Sequence, residues 1–257
     1  MLPSAVSDSH VHNILPNKID TDFQFSRASS ATRVNHQGLI EDVGYFGPEL
    51  VQNGNFSELG PDLVVNGDFA DTSAWTQLSS SITISNGAAN YDGSLVTSNM
   101  RQTLTTVANK TYKITYTISN YVEGIGTVRF AGTYGTYRTA NGTYTDYIDS
   151  NSTNTTLQLY GLSNFNGSFD NISVKQVDPD GHWSVGAGWS FGNNIANVDT
   201  GVTTALVQNI TTKIGSNYDI RLTISNRVVG SIQPQFGGVL ATPTSQAANG
   251  TFIFSIT

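Results

Sequence analysis

A chain of 257 residues with 38% hydrophobic residues can bury one large core or two small ones, although only 12% of its residues are charged. The formal net charge of −7, with only 12 Lys and Arg residues, argues against nucleic-acid binding and against membrane attachment through basic residues, because phosphate contacts need clustered cations. The chain has no cysteine, which excludes disulfides, thiolate metal sites and cysteine nucleophiles.

The sequence contains no membrane span and no secretion signal of the usual kind. No apolar run approaches the roughly 18 residues that a spanning helix needs. The amino terminus has neither the basic start nor the apolar stretch of a signal peptide. We therefore expect a soluble protein that is made in the cytoplasm of its host.

The first 21 residues are predicted to form an extended anchoring arm, followed by a short β segment over 22–62. In the arm, His10 and His12 alternate along DSHVH and share one face of an extended segment, a spacing that resembles the first metal ligands of amidohydrolases. The chain shows no pattern for the α/β barrel that such a site requires. We interpret both histidines as solvated or interface residues.

One decamer occurs twice in this region. GPELVQNGNF at 47–56 returns as GPDLVVNGDF at 60–69. The spacing leaves room for a strand and a turn, but not for a module. The second copy precedes Trp75 at the distance expected of the first strand of a sandwich. We interpret the first copy as a duplicated strand that pairs back onto 63–69 or joins a neighbouring subunit.

Alternating apolar residues predict β-strands through the rest of the chain. TYKITYTI at 111–118 places Tyr and Ile on one face and Thr and Lys on the other, and YDIRLTI at 218–224 repeats this pattern. Turn sequences rich in Asn and Gly, such as SNG at 85–87, separate the strands. The predicted fold class is all-β, with tandem jelly-roll-like β-sandwiches after an extended amino-terminal arm.

The chain carries an internal repeat. QTLTTVANKTYKITYTISN at 102–120 aligns with QNITTKIGSNYDIRLTISN at 208–226. We call residues 63–177 module one and residues 178–257 module two. Residues 150–177 have no counterpart in module two, and a sandwich without these strands exposes core and unpaired edges. We expect the chain to continue past 257 or another chain to supply the strands.

Several segments resemble parts of phage structural proteins. DFQFSRASSATRVNHQGLIEDV at 22–43 resembles a segment of fibre-like proteins of marine phages. DLVVNGDF, KTYKITYTISNY and FNGSFDNISVKQV resemble the jelly-roll repeats, similar to carbohydrate-binding modules, that follow it in those proteins. The resemblance implies a virion protein whose amino-terminal part sits on the particle and whose repeats project outward.

The same resemblance implies a structural calcium ion. Jelly rolls of the carbohydrate-binding type often hold Ca²⁺ between the first strand and a carboxylate on the last strand. The matching residues here are Asp68 in NGDF and Asp170 in FDNISV. The alternative is that Asp68 caps a turn and Asp170 is merely exposed. No other cofactor is expected.

Aromatic residues cluster after TISN in module one and indicate a carbohydrate-binding site. Aromatic faces stack on sugar rings beside polar groups that form hydrogen bonds. Module two has Arg227 and Gln235 at two of the matching positions, so the fold does not require the set. Contact with neighbouring subunits is the alternative. Trp75, Tyr112 and Phe130 have aromatic counterparts in module two, so we predict that they lie in the core. The candidate binding residues are Tyr121, Arg129, Tyr134, Tyr137 and Arg138.

No motif predicts catalysis. P-loop, G-x-S-x-G and H-E-x-x-H sequences do not occur. The acidic residues include no pair that sequence can place across a cleft at the separation of about 5–9.5 Å that glycoside hydrolysis requires. We predict that the chain is not an enzyme.

The favoured function is that of a bacteriophage virion structural protein, a tail or head fibre. Residues 1–62 would contact other virion proteins, copies of the chain would assemble with one another, for example as a trimer, and the modules would meet host-surface glycans. Two alternatives stay open: a capsid decoration protein without a ligand, and the accessory modules of a secreted polysaccharide-degrading enzyme. The expected location is the virion.

Overall fold

The structure is a computed structural model that describes residues 47–150, 154–241 and 245–256, together with four short strands closer to the amino terminus. The chain divides into two units, Met1–Glu49 and Leu50–Thr257. The described residues form strands and turns without any helix, and thus without a helix long and apolar enough to cross a membrane. The all-β prediction is confirmed.

The first unit contains two short antiparallel strand pairs. One pair joins β1 and β2, with His10 opposite Ser7 and His12 opposite Ala5, so the predicted extended segment is present around the two histidines. Most of the predicted anchoring arm lies outside the described residues. The four strands are β1 (Ala5–Ser7), β2 (His10–His12), β3 (Thr32–Val34) and β4 (Ile40–Asp42), and β3 pairs with β4.

Module one, together with strand β5 that directly precedes it, forms a nine-stranded antiparallel sheet dominated by two long strands, β10 (Thr111–Phe130) and β13 (Thr156–Val177). The sequence alternation at 111–118 correctly predicts the first half of β10. The strands are β5 (Leu59–Asp62), β6 (Thr76–Gln77), β7 (Ile82–Ser85), β8 (Ala88–Asp92), β9 (Thr97–Thr103), β10 (Thr111–Phe130), β11 (Thr133–Tyr134), β12 (Gly142–Asp149) and β13 (Thr156–Val177).

A bend in β10 and β13 folds this sheet over its own core. Their pairing register shifts between Ser119 and Ile125, where Gly124 has a φ of 80°. A Cβ at Gly124 would lie 2.4 Å from the Cα of Phe165, so only glycine fits this close approach. The rings of Tyr112 and Phe130, at opposite ends of β10, lie 5.3 Å apart, so the two halves of the strand face each other.

The core of module one lies between these two halves. Trp75, Tyr112 and Phe130, predicted as core, are all buried. Tyr112 Oη accepts a hydrogen bond from the Val107 amide at 2.8 Å, which satisfies its one polar atom. The largest fully buried side chains of the module are Tyr112, Tyr116, Phe69, Phe130, Phe165, Phe169, Met100, Ile114, Ile118, Leu157 and Leu159.

Module two repeats the strand pairs of module one as separate two-stranded sheets. The pairs β14–β17, β15–β16, β18–β21 and β19–β20 correspond to β6–β9, β7–β8, β10–β12 and β10–β11. The strands are β14 (Ser184–Val185), β15 (Trp189–Gly192), β16 (Ile195–Val198), β17 (Leu206–Val207), β18 (Tyr218–Ile224), β19 (Gln235–Phe236), β20 (Val239–Leu240) and β21 (Gly250–Ile256).

The second copy of the doubled decamer opens module one, but as a turn and not as the predicted strand. Val65 exchanges two backbone hydrogen bonds with the side-chain amide of Gln102, both at 2.9 Å. The indole of Trp75 donates to the carbonyl of Asn66 at 2.9 Å, and Asn66 has a φ of 54°. The ring of Phe69 packs against Trp75 with centroids 5.3 Å apart.

The first copy makes the same contacts, but with module two. Gln52 exchanges two hydrogen bonds with the side-chain amide of Gln208, at 2.7 and 2.8 Å. The indole of Trp183 donates to the carbonyl of Asn53 at 3.1 Å, and Asn53 has a φ of 47°. Phe56 lies 5.4 Å from Trp183 between ring centroids. The expected pairing of this copy with 63–69 is therefore not what the structure shows.

Module one is consequently inserted between two pieces of module two. The chain runs from the opening segment of module two, residues 50–56, into β5, and β5 pairs with the end of β13 through Leu59 opposite Val177 and Asp62 opposite Lys175. The chain thus leaves and re-enters module two at one place. The position of residues 50–56 directly before module one therefore did not indicate that they complete module two.

Candidate functional site

Four neighbouring strands of module one present a row of polar and aromatic side chains on their outer face. Arg101 of β9 lies opposite Gln158 of β13, Gln158 opposite Arg129 of β10, and Arg129 opposite Tyr134 of β11. Residues directly opposite in antiparallel strands share a face of the sheet. The neighbours of this row along β13, Leu157 and Leu159, are fully buried, so the row faces away from the core.

A second row and three tyrosine rings complete the group. Tyr160 lies opposite Asn99 and Thr127 in the register of β13. The ring of Tyr134 lies 5.3 Å from that of Tyr160 and 6.2 Å from that of Tyr137, both edge to face. We call this group the tyrosine face; it consists of Asn99, Arg101, Arg129, Tyr134, Tyr137, Gln158 and Tyr160.

Contacts within the tyrosine face hold its side chains in place. The guanidinium carbon of Arg129 lies 5.1 Å from the ring centroid of Tyr134, and the Arg129 Nε donates to the carbonyl of Gly132 at 3.1 Å. Burial and the neighbouring Tyr160 raise the pKa of Tyr134, so its hydroxyl stays protonated at neutral pH. Tyr134 and Tyr137 are nevertheless 41% and 54% exposed, which leaves ring surface open to a ligand.

Asn99 contributes an acceptor without a partner. Among the described residues, its Oδ1 is the buried side-chain polar atom that has no hydrogen bond. A buried acceptor without a donor costs about 1–3 kcal/mol. Because Asn99 lies opposite Tyr160, this atom belongs to the same face as the tyrosine rings. The atom is buried, so a ligand on the outer face does not contact it in this conformation.

Two of the five predicted binding residues lie elsewhere and have structural contacts. Tyr121 donates its hydroxyl to the carbonyl of Gly124 at 3.0 Å and packs at the core margin beside Phe165. The guanidinium of Arg138 lies 3.0 Å from the buried Asp146 carboxylate and above the ring of Tyr144. The structure thus brings together Arg129, Tyr134 and Tyr137 as predicted, but not Tyr121 and Arg138.

Sequence reasoning missed Tyr160, Gln158, Asn99 and Arg101 as members of the site. Tyr160 lies in the aromatic-rich sequence after TISN, and its alternation with Leu157 and Leu159 marks it as outward-facing. The other three come from strands distant in sequence, so only the pairing register places them beside the tyrosines. No local motif indicated them.

The two proposed calcium ligands lie on segments that meet. Ile172 donates its amide to the carbonyl of Gly67, next to Asp68, and Asp170 lies two residues before Ile172. Each carboxylate has local partners: Asp68 accepts from the Ala70 amide, and Asp170 accepts from the amide and side chain of Asn171. Calcium binding by Asp68 and Asp170 stays a prediction.

A different group of potential metal ligands lies where the chain passes between the modules. His182 Nε2 is 3.4 Å from Glu58 Oε2 and 3.9 Å from Asp180 Oδ2. In the described part of the chain, these three residues form the group of His and acidic side chains with ligand atoms within 4.8 Å of one another. Asp180 is 70% exposed, and the closer contact, between His182 and Glu58, joins the two chain segments that run between the modules.

A cleft of about 380 Å³ lies at the junction of the two modules, with Lys110 and Asp149 on one side and Trp183 and Trp189 on the other. Both indoles already donate to backbone carbonyls, those of Asn53 and Thr204. These indoles are therefore engaged in contacts within module two, and the tyrosine face is the better candidate site.

Comparison with known proteins gives a structural likeness at a low TM-score and no family. No family model matches the chain, and no curated protein matches it. The chain is similar to a solved structure of the enzymatically active domain of tailspike protein 4 from bacteriophage CBA120, with a TM-score of 0.35 and 13% identity. The match covers 45% of this chain and 21% of that one, so it spans about a fifth of the tailspike domain.

The description of that domain as enzymatically active contradicts the prediction that the chain is not an enzyme. That prediction does not stand. A likeness at this TM-score transfers no reaction to the chain, and we assign none to the described residues.

Proposed function

We propose that the chain is a structural component of a bacteriophage particle, a tail or head fibre, and that module one binds glycans of the host surface through the tyrosine face. The observation that carries the proposal is the exposed pair of rings, Tyr134 and Tyr137, fixed beside Arg129. Exposed aromatic rings next to planar hydrogen-bonding groups are suited to sugar rings, which present apolar CH faces and polar edges.

The polar groups of the tyrosine face favour acidic sugars. The row from β9 to β11 carries two guanidinium groups, those of Arg101 and Arg129, and no carboxylate. Guanidinium groups bind carboxylates through paired, charge-assisted hydrogen bonds. Glycans that contain uronic acids are therefore the preferred ligand class.

Replacing both exposed rings tests this assignment. The double variant Tyr134→Ala and Tyr137→Ala is expected to lose binding on a glycan array by roughly tenfold or more, because each stacked aromatic ring contributes on the order of 1 kcal/mol or more. Leu240→Ala is the matched control, since Leu240 is the counterpart of Tyr134 in module two and is 53% exposed. Thermal unfolding of both variants shows whether they remain folded. Unchanged glycan binding by a folded double variant would refute the tyrosine-face assignment.

The particle assignment is supported by the sequence of 22–43 and by the repeated modules that follow it. We propose that residues 1–62 contact other virion proteins, that copies of the chain assemble with one another, and that the protein resides on the virion. Deleting residues 2–21 is expected to abolish incorporation into phage particles, while glycan binding by the purified protein persists. Quantitative mass spectrometry of purified particles measures incorporation. Incorporation at the wild-type level would show that the arm is not the anchor.

A further inference from the structure

The point at which module one is inserted into module two brings three potential metal ligands together. Glu58 lies on the segment that enters module one, and Asp180 and His182 lie on the segment that leaves it. We call these three residues the seam group. Their ligand atoms all lie within 4.8 Å of one another, with His182 Nε2 at 3.4 Å from Glu58 Oε2. The seam group is separate from the tyrosine face, so its role does not depend on glycan binding.

The repeat indicates that the fold of a module does not require these side chains. When the two decamers and the two following tryptophans are aligned, the matching residues of module one are Asp71, Thr72 and Ala74. Asp71 and Thr72 are neighbours in the chain, whereas the whole of module one separates Glu58 from Asp180. Module one therefore closes the same loop with one acidic residue and no histidine.

Hydrogen bonds hold the two segments of the seam group against each other. The amide of Asp178 donates to the carbonyl of Glu58 at 3.1 Å. The side chain of Asn53 accepts from the Glu58 amide at 3.1 Å and donates to the buried Asp178 carboxylate at 2.9 Å. The other oxygen of that carboxylate accepts from the amide of Trp183 at 3.0 Å. Because the backbone is already fixed on both sides, an ion that binds here orders few additional groups.

The spacing of the ligand atoms suits a tetrahedral metal ion better than a hydrogen bond. Nitrogen and oxygen ligands about 2.0–2.2 Å from Zn²⁺ lie about 3.3–3.6 Å from one another in a tetrahedron. The 3.4 Å between His182 and Glu58 falls in this range, whereas a charge-assisted N–H···O hydrogen bond is about 2.7–2.9 Å long. The Asp180 carboxylate is 70% exposed and 3.9 Å from His182, so a small rotation of its side chain brings it to the same spacing.

The chemistry of the donors favours Zn²⁺ over Ca²⁺ and Mg²⁺. An imidazole nitrogen is a good ligand for zinc, whereas calcium and magnesium take oxygen ligands. A neutral imidazole with two carboxylates carries two negative charges, which a divalent cation neutralises. The side chains of His182 and Glu58 are 23% and 34% exposed, so an ion can reach them from solvent.

We propose that Glu58, Asp180 and His182 bind one Zn²⁺ ion, which joins the chain segments that enter and leave module one. Three protein ligands leave the fourth position to a water molecule. Glu58 and His182 flank the insert on its two sides, so the bound ion fixes the base of module one to module two. The ion thus limits the separation of the two segments at their exposed side.

Isothermal titration of the full chain with ZnCl₂ tests the site. The variants are His182→Ala and Asp180→Thr, which place in module two the residues that module one has at these positions, and thermal unfolding checks that they fold. His182→Ala is expected to lose one equivalent of bound zinc or to bind it roughly tenfold or more weakly, since even changes behind the ligands cost 10–100-fold. The matched control is His10→Ala with His12→Ala, which removes other imidazoles and should keep this equivalent.

Hydrogen exchange locates the bound ion. Zn²⁺ is expected to slow amide exchange over residues 178–183 in the wild type and in the His10 and His12 control, but not in His182→Ala. CaCl₂ is expected to have no such effect. The proposal is wrong if the wild type binds no zinc, if folded His182→Ala binds as much zinc as tightly, or if Ca²⁺ slows exchange over 178–183 equally.

Discussion

Replacing Asp146 with alanine is expected to destabilise module one by about 3–5 kcal/mol, the cost of breaking a buried ion pair by removing one partner. Asp146 is 7% exposed and accepts hydrogen bonds from the Tyr116 hydroxyl at 3.0 Å and from the Arg138 guanidinium at 3.0 Å. Burial raises the pKa of Tyr116, so its phenol remains a proton donor. Without Asp146, both donors lose their shared acceptor inside the sandwich.

Asp149→Ala is the control for this prediction. Asp149 lies three residues further along β12, is exposed, and accepts from Thr111 Oγ1 at 2.6 Å. Its loss is expected to cost less than about 1 kcal/mol, as is typical of exposed polar contacts. Urea unfolding followed by tyrosine and tryptophan fluorescence measures both changes. Equal stabilities for the two variants would contradict the structural role assigned to the Asp146 network.

Phe56→Ala is the second change with a large expected effect, and it should act on module two rather than on the adjacent module one. Phe56 packs against Trp183 and Phe191 with ring centroids 5.4 Å apart in each case. Truncation of a core phenylalanine typically lowers the free energy of unfolding by about 3–5 kcal/mol. Because Phe56 is only half-buried, we expect a loss at or below the lower end of this range. The measurement is hydrogen exchange at Tyr218–Ile224, which should become faster.

The matched control is Phe69→Ala, the same substitution in the second copy of the decamer. Phe69 is 1% exposed and packs against Trp75. It is expected to speed exchange in Thr111–Phe130 and to leave Tyr218–Ile224 less affected. If Phe56→Ala and Phe69→Ala instead loosened the same strands, the assignment of the two copies to different modules would be wrong.

Local patterns were enough to predict the strands and much of the core. The alternation in TYKITYTI and YDIRLTI identifies parts of β10 and β18, because one face of each strand is apolar. SNG at 85–87 forms the predicted turn, with φ of 53° at Asn86 and 70° at Gly87. Such features depend on residues close in sequence, so sequence reasoning reaches them.

The partner of residues 50–56 could not be predicted in this way, because it lies more than a hundred residues away. The contacts of Gln52 with Gln208 span 156 residues. The only signal in the sequence was that Gln102 and Gln208 occupy the same position in the two aligned repeats. No residue close to either Gln indicated which decamer that Gln would contact. Proximity in the chain favoured a hairpin that does not form.

The candidate site was predicted in part for the same reason. Tyr134, Tyr137 and Arg129 were identified because they are close in sequence and missing from module two. Arg138 satisfied the same criterion, but it pairs with Asp146 eight residues later, on β12. Composition shows that a region is rich in aromatic and basic residues, whereas the strand register decides which of them share a face.

The insertion of module one also determines the order in which the protein can fold during synthesis. Residues 50–56 leave the ribosome first, but Trp183 and Gln208, which bind them, are made only after the whole of module one. Module one can fold as soon as β13 has emerged, while the opening segment of module two waits without its partners. Since β5 pairs with the end of β13, the folded insert brings residues 58 and 178 within hydrogen-bonding distance. Folding of module one on the nascent chain thus holds residues 50–56 close to the start of the rest of module two before that part is translated.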